Sequence, residues 1–137
     1  MYVLTSHETV SGGEELAYNL QALKRATLIG ETTAGAAHLV MLSRVTAHIV
    51  LSLPTGRPIN PLTGTNWEGT GVVPDIPVPQ EAALKVAHIM ALKRVLETVR
   101  DRPAGPIRDL VEEAQTALTE LEEQCSDGPA GSSAAMS

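Results

Sequence analysis

The stretch Tyr2-Val3-Leu4-Thr5-Ser6-His7-Glu8-Thr9-Val10-Ser11-Gly12-Gly13-Glu14-Glu15 decides how this chain is read. Tyr2 to Leu4 is a short apolar run. Beyond Glu15, Leu16, Leu20 and Leu23 recur at helical steps with Ala17 beside them. The order is strand, tight turn, helix, with Ser11 and two glycines at the helix start. A hydroxyl there sits beside backbone N–H groups that no preceding turn can bond, at the positive end of the helix dipole. Such a place suits a group that develops negative charge. Ser11 followed three residues later by Glu14 is equally the capping-box pattern, a common way to open a helix. From this stretch alone both readings stand.

Working outward, the helix is expected from about Gly12 to Lys24, with Lys24-Arg25 suited to its negative end. Ala26-Thr27-Leu28-Ile29-Gly30 is a second apolar run, so strand, helix and strand form a βαβ unit with a parallel sheet. Both runs are nearly continuous in apolar residues, the pattern of strands covered on both faces. Glu31 to His38 is a loop of small residues. Leu39–Val45 and Ala47–Leu53 read as two strands of a hairpin, and Pro54-Thr55-Gly56-Arg57-Pro58 as the turn that follows. Residues 59–71 have no clear period and carry the chain's one Trp; a segment of that length is usually functional or mobile. Val72-Val73-Pro74-Asp75-Ile76-Pro77-Val78 is too proline-rich for an interior strand and reads as an edge strand.

The pattern then turns helical. Ala82, Val86, Ile89, Leu92, Leu96 and Val99 form one apolar stripe between about Gln80 and Val99. Residues 101–106 break that helix, and Ile107 to Leu121 form a second one with Leu110, Val111, Ala114 and Leu118 on its apolar side and an acidic opposite face. From Ser126 the chain has almost nothing to bury and is expected to be disordered. The fold class is α/β, and the division expected is 1–100 for the main part, 101–124 for an acidic helix and 125–137 for the tail.

Composition narrows the function. The 137 residues suffice for one small domain, and with no Phe and 2% aromatics its core must be aliphatic. Residues 1–100 balance their charges, so the net charge of −6 comes from the acidic C-terminal part. No basic patch with interleaved aromatics marks a nucleic-acid surface. No apolar run is long enough to span a membrane, and no signal peptide is visible in this chain. Cys125, the one cysteine, has no disulfide partner and no ligand-spaced neighbours for a metal. Neither a cofactor nor a metal is called for.

Three motifs in order carry a resemblance. They are Val10-Ser11-Gly12-Gly13-Glu14-Glu15, then Arg25 through Gly30-Glu31-Thr32-Thr33-Ala34-Gly35, then Asn66-Trp67-Glu68-Gly69-Thr70-Gly71-Val72-Val73-Pro74-Asp75. Together they resemble the C-terminal processing (tail-specific) serine proteases, in the branch of the tricorn core protease and the interphotoreceptor retinoid-binding protein modules. The resemblance covers roughly residues 1–97 and implies a crotonase/ClpP-like core with added hairpin strands and two C-terminal helices. It implies a serine-type peptidase acting on a peptide or protein substrate. By that resemblance Ser11 is the nucleophile, the Gly12 N–H donates to the oxyanion hole, and Glu68 is the carboxylate that orients the base.

A serine needs a base within hydrogen-bonding reach. The bacterial processing proteases place a lysine where this chain has Ala36, and the tricorn-like branch takes a histidine from well before the nucleophile. The base is therefore expected from a preceding segment, with this chain the C-terminal part of a catalytic domain. Of the histidines present, His38 lies in the small-residue loop and is the candidate base within the chain; His7, His48 (expected in a strand) and His88 read as surface or structural residues. Two other classes remain open. One is a non-catalytic module for an apolar ligand, as in the retinoid-binding branch. The other is an interaction piece that self-associates through an exposed strand edge.

Overall fold

The structure, a computed structural model, describes residues 1–99 and 108–126. It confirms the α/β class. The chain runs β1 (Tyr2–Thr5), α1 (Gly12–Ala22), β2 (Thr27–Gly30), β3 (Leu39–Arg44), β4 (Val50–Gly56), β5 (Ile76–Pro77), α2 (Gln80–Val99) and α3 (Arg108–Ser126). Two compact units divide it, Met1–Leu84 and the part from Lys85 onward.

In the first unit, β1, β2 and β5 form a parallel sheet in the order β1-β2-β5. β1 and β2 pair from Tyr2 with Thr27 to Thr5 with Gly30, and α1 supplies the crossover between them. The βαβ unit is thus present. β2 has a strand on each side, and its Leu28, Ile29 and Gly30 are all buried. Leu28 and Ile29 are fully buried, each worth about 1.5–3 kcal/mol of burial. β1 is an outer strand and its Leu4 is 43% exposed, which corrects the expectation that both strands are enclosed.

The core joins Ala17, Leu28, Ala37, Trp67 and Val72, with Val3, Tyr18 and Ala26 packed against it. α1 turns Ala17 inward and leaves Leu16 and Leu23 exposed, so its buried stripe is narrower than the leucine spacing implies. The helix also ends earlier than expected, at Ala22. Lys24 then takes a left-handed conformation (φ 54°), the terminating position glycine usually fills.

Gly30 is required where β2 ends. Its φ is +135°, and a Cβ there would overlap the Thr5 carbonyl oxygen. Asp75 fixes the approach to β5, because its carboxylate accepts the Leu28 N–H at 2.7 Å and the Gln21 side-chain amide at 3.0 Å. The segment around it is extended, and the strand expected over 72–78 shortens to two residues beside β2.

β3 and β4 form a separate antiparallel hairpin. The second strand begins and ends three residues later than expected, running through Pro54 to Gly56. Pro54 lies opposite Val40, beside a register irregularity at Leu39/Val40, and a proline fits because β4 is an edge strand. His48 consequently falls in the connection rather than in a strand. The hairpin is apolar on both faces and open on both. Met41 opposite Leu53 and Ser43 opposite Leu51 share one face, with Val40 and Leu42 on the other, and every residue from Val40 to Val50 is exposed.

The second unit contains most of α2 together with α3. Lys93 Nζ meets Glu122 Oε1 at 2.8 Å, and Val111, Ala114, Leu118 and Leu121 turn away from solvent as the periodicity expected, while Leu110 is exposed. α3 extends to Ser126. The proposed break over 101–106, Ile107 and the tail from 127 lie outside the described residues. No helix among the described residues is long and apolar enough to cross a membrane.

Candidate active site

The turn from β1 into α1 places Ser11 at the N-cap with φ 53° and ψ −115°. A non-glycine residue rarely holds such a conformation, and it persists only where the surroundings enforce it. Its neighbours do so. Thr9 N–H bonds the Ser6 carbonyl, the Thr9 carbonyl accepts Ala34 N–H at 3.0 Å, and Ser11 N–H donates to Glu14 Oε2 at 2.8 Å. Gly12 follows as the first helical residue, where no earlier turn offers its N–H a carbonyl. A Cβ built on Gly12 would meet nothing within 4 Å, so open space lies against it.

The helix-opening half of the capping box, Glu14 on the Ser11 N–H, is therefore present. Glu14 does far more than cap. It is fully buried, and its Oε1 accepts the Thr33 hydroxyl and the Gly35 N–H, each at 2.6 Å, while Oε2 also accepts Ala36 N–H at 2.9 Å. Burial pushes its carboxyl up. The Thr33 hydroxyl and the Ala36, Gly35 and Ser11 amides together outweigh that and hold it below the ordinary carboxylate value.

Glu68 holds the next two residues of the same loop. Its Oε2 accepts Ala37 N–H at 2.7 Å and His38 N–H at 2.9 Å. Its Oε1 lies 3.3 Å from His38 Nδ1, with both side chains partly exposed. The His38 and Ala37 amides are the main cause holding the Glu68 carboxyl below its usual value. Four successive amides, 35 to 38, are thus shared between two carboxylates, two each.

The segment carrying Glu68 is tied down over its length. Asn60 bonds Asn19 on α1 at 2.8 Å and caps Leu62, Asn66 donates to the Pro58 carbonyl at 2.8 Å, and Tyr18 meets Thr63 at 2.8 Å. Trp67 is 3% exposed, with its ring centroid 5.3 Å from that of Tyr18, and its Nε1 has no partner among the described residues. Gly69 N–H donates to the Gly35 carbonyl at 2.8 Å, and Val72 N–H to the Thr33 hydroxyl at 2.7 Å. At Gly71 (φ +70°) a Cβ would overlap the Thr33 carbonyl. Residues 59–71 are therefore a scaffolded segment, seated on α1 and on the small-residue loop.

Of the expected site residues, Ser11 and Gly12 stand together at the start of α1, and Glu68, from the segment 59–71, meets His38 on the small-residue loop. No hydrogen bond among the described residues joins the Ser11 hydroxyl to His38 or to Glu68. His7 pairs elsewhere, its Nδ1 2.8 Å from Glu31 Oε2, and that bond raises its pKa. Sequence reading missed Glu14 as a hub and Thr33 as its partner. The capping-box spacing was their one visible signal.

The unit is thus α/β, with a conformationally held serine at a helix start beside a carboxylate-bound loop. The model for peptidase family S41 matches residues 1–78, more than half of the chain, and the chain belongs to that family. Among solved structures it is similar to a photosystem II D1 C-terminal processing protease, with 26% identity and a TM-score of 0.51 over 59% of this chain. It is similar in fold to mature CPAF, at 20% identity and a TM-score of 0.57 over 74% of this chain. In both cases the chain spans 21% of the length of the structure matched.

Proposed function

We propose that this chain contributes the nucleophile-bearing part of a serine-type peptidase that hydrolyses peptide bonds through an acyl-enzyme. The observation that carries the reading is Ser11 itself, a serine held at φ 53° at a helix N-terminus beside Gly12, where space is open. In this reading the Ser11 hydroxyl gives its proton to a base and attacks the scissile carbonyl carbon. The Gly12 N–H donates to the oxygen as it becomes negative, and collapse expels the amine with the proton returned by the base. Water then repeats the sequence on the ester. Glu68 orients the base and stabilises its charged form.

The base in the leading reading comes from a further polypeptide segment, as the tricorn-like resemblance implies. A second reading has one observation in its favour. His38 Nδ1 lies 3.3 Å from Glu68 Oε1, which leaves Nε2 as the proton acceptor. A fluorophosphonate probe separates these readings. A longer protein carrying this chain is expected to be labelled at Ser11, and labelling that persists in Ser11→Ala would sink the proposal. His38→Gln leaves labelling intact if the base comes from elsewhere and abolishes it if His38 is the base. Saturable binding of a fatty acid or retinoid by an unlabelled protein would instead favour an apolar-ligand module.

A further inference from the structure

Glu14 is an unusual group in this unit. It is a fully buried carboxylate, and none of the ion pairs among the described residues involves it. A helix cap needs one hydrogen bond from a glutamate at this position, and an exposed side chain supplies it. Here both oxygens are saturated with two donors each, and three of the four donors come from residues 19 to 22 positions away. Burying a charge without a counterion is costly unless every lone pair is met, so the arrangement holds only as a complete set.

The pairing of donors has a geometric consequence. Ser11 N–H and Ala36 N–H share Oε2, at 2.8 and 2.9 Å. Thr33 and Gly35 share Oε1, both at 2.6 Å. The backbone of residue 11 and the loop at 33–36 are therefore fixed to one rigid, planar group. Glu68 takes the very next amides, Ala37 and His38. Glu14 and Glu68 are in this way joined through four consecutive peptide units, with Ser11 at one end and the His38–Glu68 pair at the other.

We infer that Glu14 is a positioning residue: its carboxylate sets Ser11 in register with the loop that carries Ala36 to His38, and so with Glu68. The inference rests on the peptidase reading for its catalytic meaning, while the coupling of Ser11 to the loop stands on the geometry alone. Glu14 does not touch the reacting atoms. It acts through the Ser11 backbone, by holding the strained conformation that aims the hydroxyl, and through the loop on which Glu68 is aligned.

Glu14→Gln tests this, because it keeps the shape but replaces one acceptor oxygen with an NH2 donor. On the full chain, backbone amide proton shifts are measured for Ser11, Gly35, Ala36, Ala37 and His38, with Leu28 and Ile29 as core reporters. The expected result is a joint displacement of the Ser11 amide and at least one of Gly35 and Ala36, with Leu28 and Ile29 unmoved. A Ser11 amide that stays in place, or shifts spread evenly through Leu28 and Ile29, overturns the coupling. In the longer protein, the same substitution is expected to lower the maximal rate of fluorophosphonate labelling at Ser11 by about tenfold or more, since small misplacements of a reacting group have effects of that size. The concentration for half-maximal rate should change little, and Thr33→Ser, which keeps the donor to Oε1, should label at close to the parent rate. Unchanged labelling in Glu14→Gln overturns the positioning role. Failure of the unsubstituted protein to label overturns the peptidase reading instead, and the amide shifts still decide the coupling.

Discussion

Replacing Thr33 with valine is the sharpest stability test of the buried network, because valine keeps the volume and removes one oxygen. That oxygen has two bonds. It donates to Glu14 Oε1 at 2.6 Å and accepts the N–H of Val72, a residue 2% exposed, at 2.7 Å. Losing a hydrogen bond to a charged group costs about 1.5–3 kcal/mol, and a buried N–H left without an acceptor costs about 1–3 kcal/mol. A total of about 2.5–6 kcal/mol follows, which for a unit of this size lowers the melting temperature by about 10 °C or more. Thr33→Ser retains both bonds and loses one methyl group, at a cost of about 1 kcal/mol. Thermal and urea unfolding at pH 7, followed through the buried Trp67, compare the two. The acid side gives a second reading. The Glu14 carboxyl is held below its ordinary value, so its contribution is full above the unfolded-state value and is lost as pH falls through the folded one. The Thr33 hydroxyl is the leading stabilising cause, so the gap between parent and Thr33→Val should narrow as pH drops into that range. A valine variant as stable as the serine variant at pH 7 refutes the reasoning.

Two further outcomes are expected. Gly64 and Gly71 share a left-handed φ near +70°, but a Cβ at Gly64 meets nothing and one at Gly71 meets the Thr33 carbonyl; Gly64→Ala should cost about 1 kcal/mol and Gly71→Ala clearly more, by urea midpoint. The His7 imidazole, raised chiefly by its hydrogen bond to Glu31, should titrate above 6.5 by NMR and fall back in Glu31→Gln. The contribution of the pair is confined to a window: the His7 part is lost as pH rises through its raised value, and the Glu31 part as pH falls through its lowered one.

Local pattern carried much of the fold. The alternation of apolar runs with a Ser-Gly-Gly start gave the βαβ unit, since each element there is set by neighbours within four residues. The hairpin was legible as two strands, but its second strand was displaced because a proline reads as a breaker unless the strand is known to be an edge. At the site, Glu14 was legible only as a cap. Its other donors come from Thr33, Gly35 and Ala36, small loop residues whose pattern says nothing of a distant carboxylate. Glu68 and His38 were singled out separately; their meeting depends on how residues 59–71 seat on α1, through Asn60, Tyr18 and Trp67, and no spacing rule encodes that.

The backbone at Ser11 also bears on what happens when the residue is replaced. The conformation at φ 53° and ψ −115° suits glycine better than any residue with a Cβ. Ser11→Gly should therefore leave the protein at least as stable as the parent, and more stable than Ser11→Ala, while removing the hydroxyl. Thermal unfolding of the two variants beside the parent checks this order, and an alanine variant more stable than the glycine one refutes it. The stability order expected at this position is glycine at or above serine and serine above alanine, so the loss of the hydroxyl and the relief of backbone strain run in the same direction.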